Sequence, residues 1–282
     1  MISSSPTYEV DVCDIEYLRH GDSSLLARIY QPRGAGPFPA VIDIHGGAWN
    51  TGDRMNDEPI DRFLAERGTL VAAIDFRQAP ATRYPVSLTD VNYGIRWLKA
   101  RAAEFNGRPD RVGGLGSSSG GHQVMLTALR PHDSRYASTP LTEDVDANLA
   151  YVVVCWGIVD PLARYHMAKR VGNEHLVRSH DNYWAGEQEM AEGNPQLILE
   201  RGEQTHLPPV LYIQGTKDDN TGPEMADRFA AAYTKAGGKI VLETFDGAVH
   251  GFINRDPASP NAQRALELIH TFVRQQGGGA AC

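Results

Sequence analysis

The sequence lacks the features that mark disulfide-rich, membrane-spanning and secreted chains. Its 282 residues include only three cysteines, Cys13, Cys155 and Cys282, which lie far apart and form no CxxC or Cys/His metal-binding spacing. No apolar run approaches the roughly 18 residues that a transmembrane helix needs. The first residues also lack the basic and apolar regions of a secretory signal. These absences exclude a disulfide framework and predict a reducing, cytoplasmic location.

Positive charge is also scarce. The chain has 27 Lys and Arg against 35 Asp and Glu, a net charge of −8, and no Lys/Arg-rich run. Nucleic-acid-binding proteins usually present a basic face, and anionic lipid attracts basic surfaces, so neither partner is expected. The ten histidines include no HExxH pair, and we expect no metal and no other cofactor. A small-molecule substrate is the expected partner, and formation of a homo-oligomer is left open.

Short apolar segments alternate along the chain with helical patterns. This alternation predicts an α/β fold with a mostly parallel central sheet flanked by helices. Several segments are apolar throughout, as strands covered on both faces are. One helix is predicted to follow Ser87 as its N-cap. The predicted strands are residues 25–30, 40–44, 70–76, 112–115, 151–156, 210–214 and 240–245.

Two stretches interrupt this alternation. Residues 130–148 are polar and contain prolines, which predicts a loop. Residues 157–209 are too long for a structureless loop in a compact domain, so we expect helices there, forming a cap or lid insertion over the site. The whole chain, 1–282, is predicted to be a single domain with a flexible tail at 277–282.

A G-x-S-x-G motif lies at residues 116–120, between a predicted strand and a predicted helix. A strand–turn–helix of this kind is a nucleophile elbow, in which small residues flank the serine because the turn is strained. The motif therefore predicts Ser118 as a nucleophile at the helix N-terminus. The same glycines do not fit a dinucleotide-binding motif, since Ser119 occupies the position of the third glycine, and no P-loop triplet is present.

A second motif, His45-Gly46-Gly47-Ala48-Trp49, directly follows the predicted strand 40–44. The tetrahedral intermediate of acyl transfer carries an oxyanion that needs preorganised N–H donors. A Gly-Gly turn at this place presents such donors, completed by the N–H of Ser119. Trp49, which follows this turn, and Trp156, which ends the predicted strand 151–156, are candidates for lining an acyl or aryl pocket, although each is equally well interpreted as a core aromatic.

A general base and an acid are expected after the nucleophile in the chain. His250 lies just past the strand 240–245, whereas His270 lies inside the last helix next to apolar residues. His250 is therefore the predicted base. Three carboxylates compete as the acid: Asp218 and Asp219 follow the strand 210–214, and Asp160 follows the strand 151–156.

Taken together, these motifs resemble the hormone-sensitive-lipase-like group of α/β-hydrolase serine esterases, with similarity to smaller bacterial feruloyl esterases and kynurenine formamidases. The resemblance covers about residues 25–275. It implies Asp218 as the acid and the N–H groups of Gly47, Ala48 and Ser119 as the oxyanion hole, with Ala48 in place of the usual third glycine. The N-terminal cap of that group is not expected, because about 24 residues precede the first predicted strand. The matching segments are HGGAW, DFRQAPATRYP, GSSSGGH, GTKDD and VHGF.

The sequence thus predicts a serine hydrolase of the carboxylesterase type, with Ser118, His250 and Asp218 as its catalytic triad and an acyl-enzyme intermediate. The alternative is hydrolysis of an amide-type bond, in an arylformamide, carbamate or lactam, by the same triad. A non-catalytic binding protein on this fold is a third interpretation, because fold does not fix function. The complete set of catalytic residue types argues against it.

Overall fold

An eight-stranded sheet forms the centre of the computed structural model, which describes residues 7–278. The strand order is β1-β2-β4-β3-β5-β6-β7-β8. The pairs from β4 to β8 are parallel, while β1 and β2 are antiparallel to each other and β2 is antiparallel to β4. The strands are β1 (Val10–His20), β2 (Ser23–Pro32), β3 (Ala40–Ile44), β4 (Leu70–Ile74), β5 (Gly113–Ser117), β6 (Val152–Cys155), β7 (Val210–Gly215) and β8 (Ile240–Phe245).

Helices cover both faces of this sheet, and each face has its own hydrophobic core. On β4, Leu70, Ala72 and Ile74 pack into one core, while Val71 and Ala73 pack into the other. Alternate residues therefore face opposite sides, which is why the strand is apolar throughout. The helices are α1 (Glu58–Ala65), α2 (Val86–Arg101), α3 (Ser119–Leu129), α4 (Pro161–Val171), α5 (Glu174–Tyr183), α6 (Glu187–Glu192), α7 (Pro195–Glu200), α8 (Pro223–Lys235), α9 (Phe252–Arg255) and α10 (Pro260–Gln276).

The seven predicted strands are confirmed to within two residues at each end. The sequence placed the first strand at residues 25–30, and this was wrong, because the unpredicted strand β1 (Val10–His20) precedes the seven predicted strands. Its sequence, VDVCDIEYLRH, is mostly polar, and its residues are mostly exposed because it lies at the sheet edge. The predicted start of α2 was also wrong. Its N-cap is Pro85, and Ser87 lies inside the helix, where its hydroxyl bonds the phenol of Tyr183 at 2.7 Å.

The long segment between β6 and β7 contains four helices, α4 to α7, so the expected helices in residues 157–209 are present. Its action as a lid stays a prediction. Residues 131–149 contain no helix or strand, as expected for a loop. Of the predicted flexible tail, residues 279–282 lie outside the described part of the chain. Within residues 7–278, no helix has the length and apolar character that crossing a membrane requires.

Candidate active site

The turn between β5 and α3 places Ser118 in a strained backbone conformation, with φ 50° and ψ −116°. Positive φ is unfavourable for a residue with a Cβ atom, and such strain concentrates at functional sites. The flanking glycines are required by close backbone contacts. A Cβ on Gly120 would lie 1.7 Å from the carbonyl oxygen of Ile44, and one on Gly116 would lie 2.5 Å from that of Gly120. The predicted strand–turn–helix is confirmed, and these contacts explain the spacing of its motif.

Three side chains from distant parts of the chain form a hydrogen-bonded row at the carboxyl edge of the sheet. His250 Nε2 lies 2.9 Å from Ser118 Oγ, and His250 Nδ1 lies 2.9 Å from Asp218 Oδ2. The order of the three residues and both distances match a nucleophile, a base and an orienting acid. The structure therefore brings together the three residues that the sequence proposed for these roles.

The other two candidate acids lie elsewhere. Asp219 is exposed, while Asp160 is the N-cap of α4 and accepts a hydrogen bond from the backbone N–H of Ala163 at 3.0 Å. Asp160 also forms an ion pair with Arg228 at 2.8 Å. Neither carboxylate contacts His250.

Asp218 is buried in a shell of donors that favour its ionised form. Its Oδ1 accepts the backbone N–H groups of Asn220 at 2.8 Å and Thr221 at 3.0 Å. Its Oδ2 accepts the Thr221 hydroxyl at 3.0 Å, the Gln214 amide at 3.1 Å and the imidazole of His250. Burial raises the pKa of this carboxyl, but the bonds from His250, Thr221 and Asn220 outweigh burial and hold the pKa at about 2. The acid is ionised at neutral pH.

The turn after β3 leaves backbone donors next to the serine. Gly47, Ala48 and Trp49 all have positive φ, at 111°, 51° and 63°, and the N–H of Trp49 donates to Ser119 Oγ at 3.1 Å. Within residues 7–278, no hydrogen bond uses the N–H groups of Gly47, Ala48 or Ser119, the last of which begins α3. The strained turn thus presents unpaired donors, the arrangement that an oxyanion hole requires.

The two tryptophans have different surroundings. Trp49 is fully buried, stacks on Tyr183 with the rings 5.0 Å apart, and donates its indole N–H to His122 Nδ1 at 3.1 Å. The core interpretation is therefore the correct one for Trp49, because no part of its side chain is open to a substrate. Trp156 is also buried, at 2% exposed, but it lies beside the triad, with its ring edge-on to the imidazole of His250 and the ring centroids 6.3 Å apart. Its role in a substrate pocket stays a prediction.

One residue that the sequence did not indicate connects two parts of the site. Asp57, just before α1, is buried and accepts the Ser117 hydroxyl at 2.7 Å and the Asn254 amide at 2.5 Å. It thereby joins the residue before Ser118 to the helix after His250. No local motif marks Asp57, because its partners lie 60 and 197 residues away.

Asp57 belongs to a group of three buried carboxyls, with Asp43 and Asp61. Neither oxygen of Asp43 or of Asp61 has a hydrogen-bond partner in the described part of the chain. Burial raises the pKa of Asp43 and Asp61 well above the usual range for aspartate, and repulsion adds to this effect, chiefly from Asp61 at Asp43 and from Asp57 at Asp61. Among the described residues, no cluster of His, Cys, Asp and Glu is arranged to hold a metal ion.

Comparison with known families places most of the chain in one group. The model of the BD-FAE family matches residues 28–232, and that of the dienelactone hydrolase family matches residues 193–275. Both matches include parts of the site: the first covers Ser118 and Asp218, and the second covers Asp218 and His250.

Curated relatives and solved structures agree with this placement. The probable carboxylic ester hydrolase LipM of Mycobacterium tuberculosis is 36% identical over 126 residues, 44% of this chain and 29% of LipM. The esterase LipC of the same organism is 29% identical over 255 residues, 85% of this chain and 60% of LipC. Like these two, the other curated relatives are longer, and the chain spans about half of their length.

Among solved structures, the thermophilic esterase Est2 of Thermogutta terrifontis, bound to propionate, has a TM-score of 0.75 and 25% identity, with 99% of this chain and 98% of Est2 covered. Esterase B of Lactobacillus rhamnosis has a TM-score of 0.79 at 19% identity, with 97% of this chain and 87% of that chain covered. The second likeness concerns the fold alone. The eight-stranded sheet with flanking helices is thus the α/β-hydrolase fold.

Proposed function

This chain belongs to the BD-FAE family, and we propose that it hydrolyses carboxylic esters through an acyl-enzyme intermediate on Ser118. The observation that carries the proposal is the continuous row from Ser118 Oγ through His250 to Asp218, with both contacts at 2.9 Å. Relatives named as esterases, and the propionate-bound esterase that shares the fold, support ester hydrolysis over other reactions of this triad.

In the first half-reaction, Ser118 Oγ attacks the ester carbonyl and its proton passes to His250 Nε2. The N–H groups of Gly47, Ala48 and Ser119 receive the oxyanion that forms. The intermediate then collapses, and the proton on His250 Nε2 goes to the departing alcohol, which leaves an acyl group on Ser118. Asp218 holds His250 in the tautomer with the proton on Nδ1 throughout.

In the second half-reaction, water attacks the acyl-enzyme while His250 Nε2 accepts its proton. That proton returns to Ser118 as the carboxylic acid is released. We propose small to medium acyl or aryl esters as substrates, with Trp156 beside His250 forming part of the pocket wall. Helix α5 contacts the segment after the oxyanion turn, because the side-chain amide of Asn182 donates to Asn50 Oδ1 at 2.8 Å.

We further propose that the partner is a small-molecule substrate and that the protein is cytoplasmic. The net charge of −8 and the lack of a basic run favour a small-molecule substrate over nucleic acid or anionic lipid. The described cysteines, Cys13 and Cys155, are both free, which favours a cytoplasmic setting.

Three classes of substrate test the reaction: p-nitrophenyl acetate as the ester, N-formylkynurenine as the arylformamide, and an acyl anilide as the amide. We expect turnover of the ester to exceed that of the other two. A fluorophosphonate probe should label wild-type protein and the Ser117→Ala variant but not the Ser118→Ala variant. If N-formylkynurenine were turned over faster than the ester, the reaction would be amide-type hydrolysis instead. If the probe labelled no protein, the assignment of Ser118 as the nucleophile would be refuted.

A further inference from the structure

Arg164, on α4 in the segment between β6 and β7, is an unusual buried arginine. Its side chain is about 1% exposed, yet no carboxylate of the described residues forms an ion pair with it. A buried cation without a bonded counter-ion is costly. A residue of this kind therefore calls for an explanation beyond packing.

All three described hydrogen bonds of the Arg164 side chain go to one residue, Asn220. Its Nε lies 3.1 Å from both the backbone oxygen and the side-chain Oδ1 of Asn220, and its Nη2 lies 2.5 Å from the same Oδ1. The planar guanidinium thus holds Asn220 by its main chain and its side chain at once. Such a fork fixes the orientation of its partner, which a lysine does not do.

Asn220 in turn contacts the proposed catalytic acid. Its backbone N–H donates to Asp218 Oδ1 at 2.8 Å, and the next residue, Thr221, donates from its N–H and its hydroxyl. The Asn220 carbonyl that Arg164 holds belongs to the same planar peptide group as the Thr221 N–H, so the direction of this donor toward Asp218 Oδ1 depends on the contact with Arg164. The contacts therefore run without a break from α4 through Asn220 and Asp218 to His250.

Charge supports the same connection. Burial lowers the pKa of Arg164 to about 10, and the nearby Asp218 carboxylate opposes this decrease. Arg164 therefore stays protonated at neutral pH. The charge that opposes the decrease is that of the proposed catalytic acid, so the two buried charges stabilise each other without a direct contact.

We propose that Arg164 is a positioning residue that holds Asp218, through Asn220, in the orientation that directs His250 toward Ser118. The inference rests on the proposed esterase function. It makes the segment between β6 and β7 part of the catalytic framework, because α4 supports the acid loop while α5 bonds Asn50 beside the oxyanion turn. Loss of the Arg164 contact leaves the reacting groups in place but less well aligned.

The test compares Arg164→Met, Arg164→Lys, Asn220→Ala and the Arg164→Met/Asn220→Ala double variant with wild type. Arg170→Met is the matched control, because Arg170 is on the same helix and is exposed. We expect Arg164→Met and Asn220→Ala each to lose about tenfold or more in kcat on p-nitrophenyl acetate, since small misplacements of reacting groups cost up to about 100-fold. KM should change less than about threefold, because neither residue binds substrate.

The double variant should be little worse than the more impaired single variant, since both changes break one connection. The low-field proton NMR signal of the His250–Asp218 hydrogen bond should broaden or disappear in all three of these variants and persist in Arg170→Met. A packing role alone would leave that signal unchanged. Arg164→Lys keeps the charge without the fork and should stay at least about fivefold impaired.

Three results overturn the inference: losses in kcat that multiply in the double variant, an unchanged low-field signal in Arg164→Met, or full rescue by Arg164→Lys. If Arg164→Met does not fold, Asn220→Ala decides the question, since it removes only the Oδ1 acceptor. If the proposed esterase function itself is wrong, the wild-type protein will neither hydrolyse esters nor react with fluorophosphonate. The NMR signal tests the Arg164 connection even then.

Discussion

Replacing Asp218 by asparagine tests the site most sharply, because the two oxygens of this carboxylate have different partners. Oδ1 accepts two backbone N–H groups, from Asn220 and Thr221. Oδ2 accepts the Thr221 hydroxyl, the Gln214 amide and His250 Nδ1. In the Asp218→Asn variant, an NH₂ group must take the place of one of these oxygens.

The structure determines which oxygen is replaced. An NH₂ group at the Oδ1 position would oppose two fixed backbone donors, and each unsatisfied buried donor costs about 1–3 kcal/mol. At the Oδ2 position both other donors can adapt, because the Thr221 hydroxyl is able to rotate and accept, and the Gln214 amide is able to turn its unbonded Oε1 toward the NH₂. The amide therefore places its NH₂ toward His250, whose Nδ1 must then accept a hydrogen bond. The proton of the imidazole moves to Nε2, which faces Ser118 at 2.9 Å and no longer accepts the serine proton.

This wrong tautomer removes the base while the fold stays intact. Loss of the orienting acid through tautomer exchange reduces kcat by about 10⁴, which corresponds to about 5 kcal/mol of transition-state stabilisation. The measurement is kcat on p-nitrophenyl acetate, with urea unfolding to verify that each variant folds.

Asp219→Asn and Asp160→Asn are the matched controls. Asp219 is exposed, and asparagine at position 160 still caps α4, so both variants should stay within about tenfold of wild-type kcat. Asp218→Asn with kcat within tenfold of wild type would refute the reasoning. An inactive Asp160→Asn would place the orienting acid after β6.

The remaining predictions concern the nucleophile, the oxyanion turn and the buried carboxyls. Ser118→Ala should lose a factor of about 10⁴–10⁶ in kcat with unchanged urea stability, and residual turnover above 1% would argue against the assigned nucleophile. Gly47→Ala should lose at least about 100-fold in kcat, because a Cβ at φ 111° would lie 1.8 Å from the carbonyl oxygen of Thr51; wild-type kcat would show that the turn adapts. Burial and the charge of Asp57 raise the pKa of Asp61, so folding binds a proton there and the stabilisation is lost as pH rises above about 4. Asp61→Asn should therefore stabilise the fold relative to wild type by an amount that grows between pH 4 and 8 in urea unfolding, and a difference independent of pH would contradict the raised pKa.

Much of the sheet was predictable from the sequence, because buried parallel strands must be apolar on both faces. The segment 40–44 matches β3 at both ends, and all five residues of this strand are buried. The edge strand β1 was missed for the same physical reason. It contacts the sheet along one side only, and its polar, exposed sequence carries no continuous apolar signal.

The nucleophile and the oxyanion turn were also local in origin. Ser118 needs small neighbours because its backbone is strained and Gly120 passes close to Ile44. The residues that meet this requirement are adjacent to Ser118 in the sequence, so a local motif reveals them. The choice among Asp218, Asp219 and Asp160 was not settled by the residues alone, and only the resemblance favoured Asp218. The structure separates the three by orientation, since one carboxylate meets His250 and the others do not.

The sequence by itself thus determined seven of the eight strands, the strained turns and the residue types of the triad, because each depends on a few neighbouring residues. Only the tertiary structure decided that Trp49 belongs to the core, that Asp57 joins Ser117 to Asn254, and that Arg164 holds Asn220. These contacts join residues separated by about 60 positions or more, whose approach depends on how the whole sheet and its helices pack. A buried polar group finds its partner through that packing, and no local pattern records it.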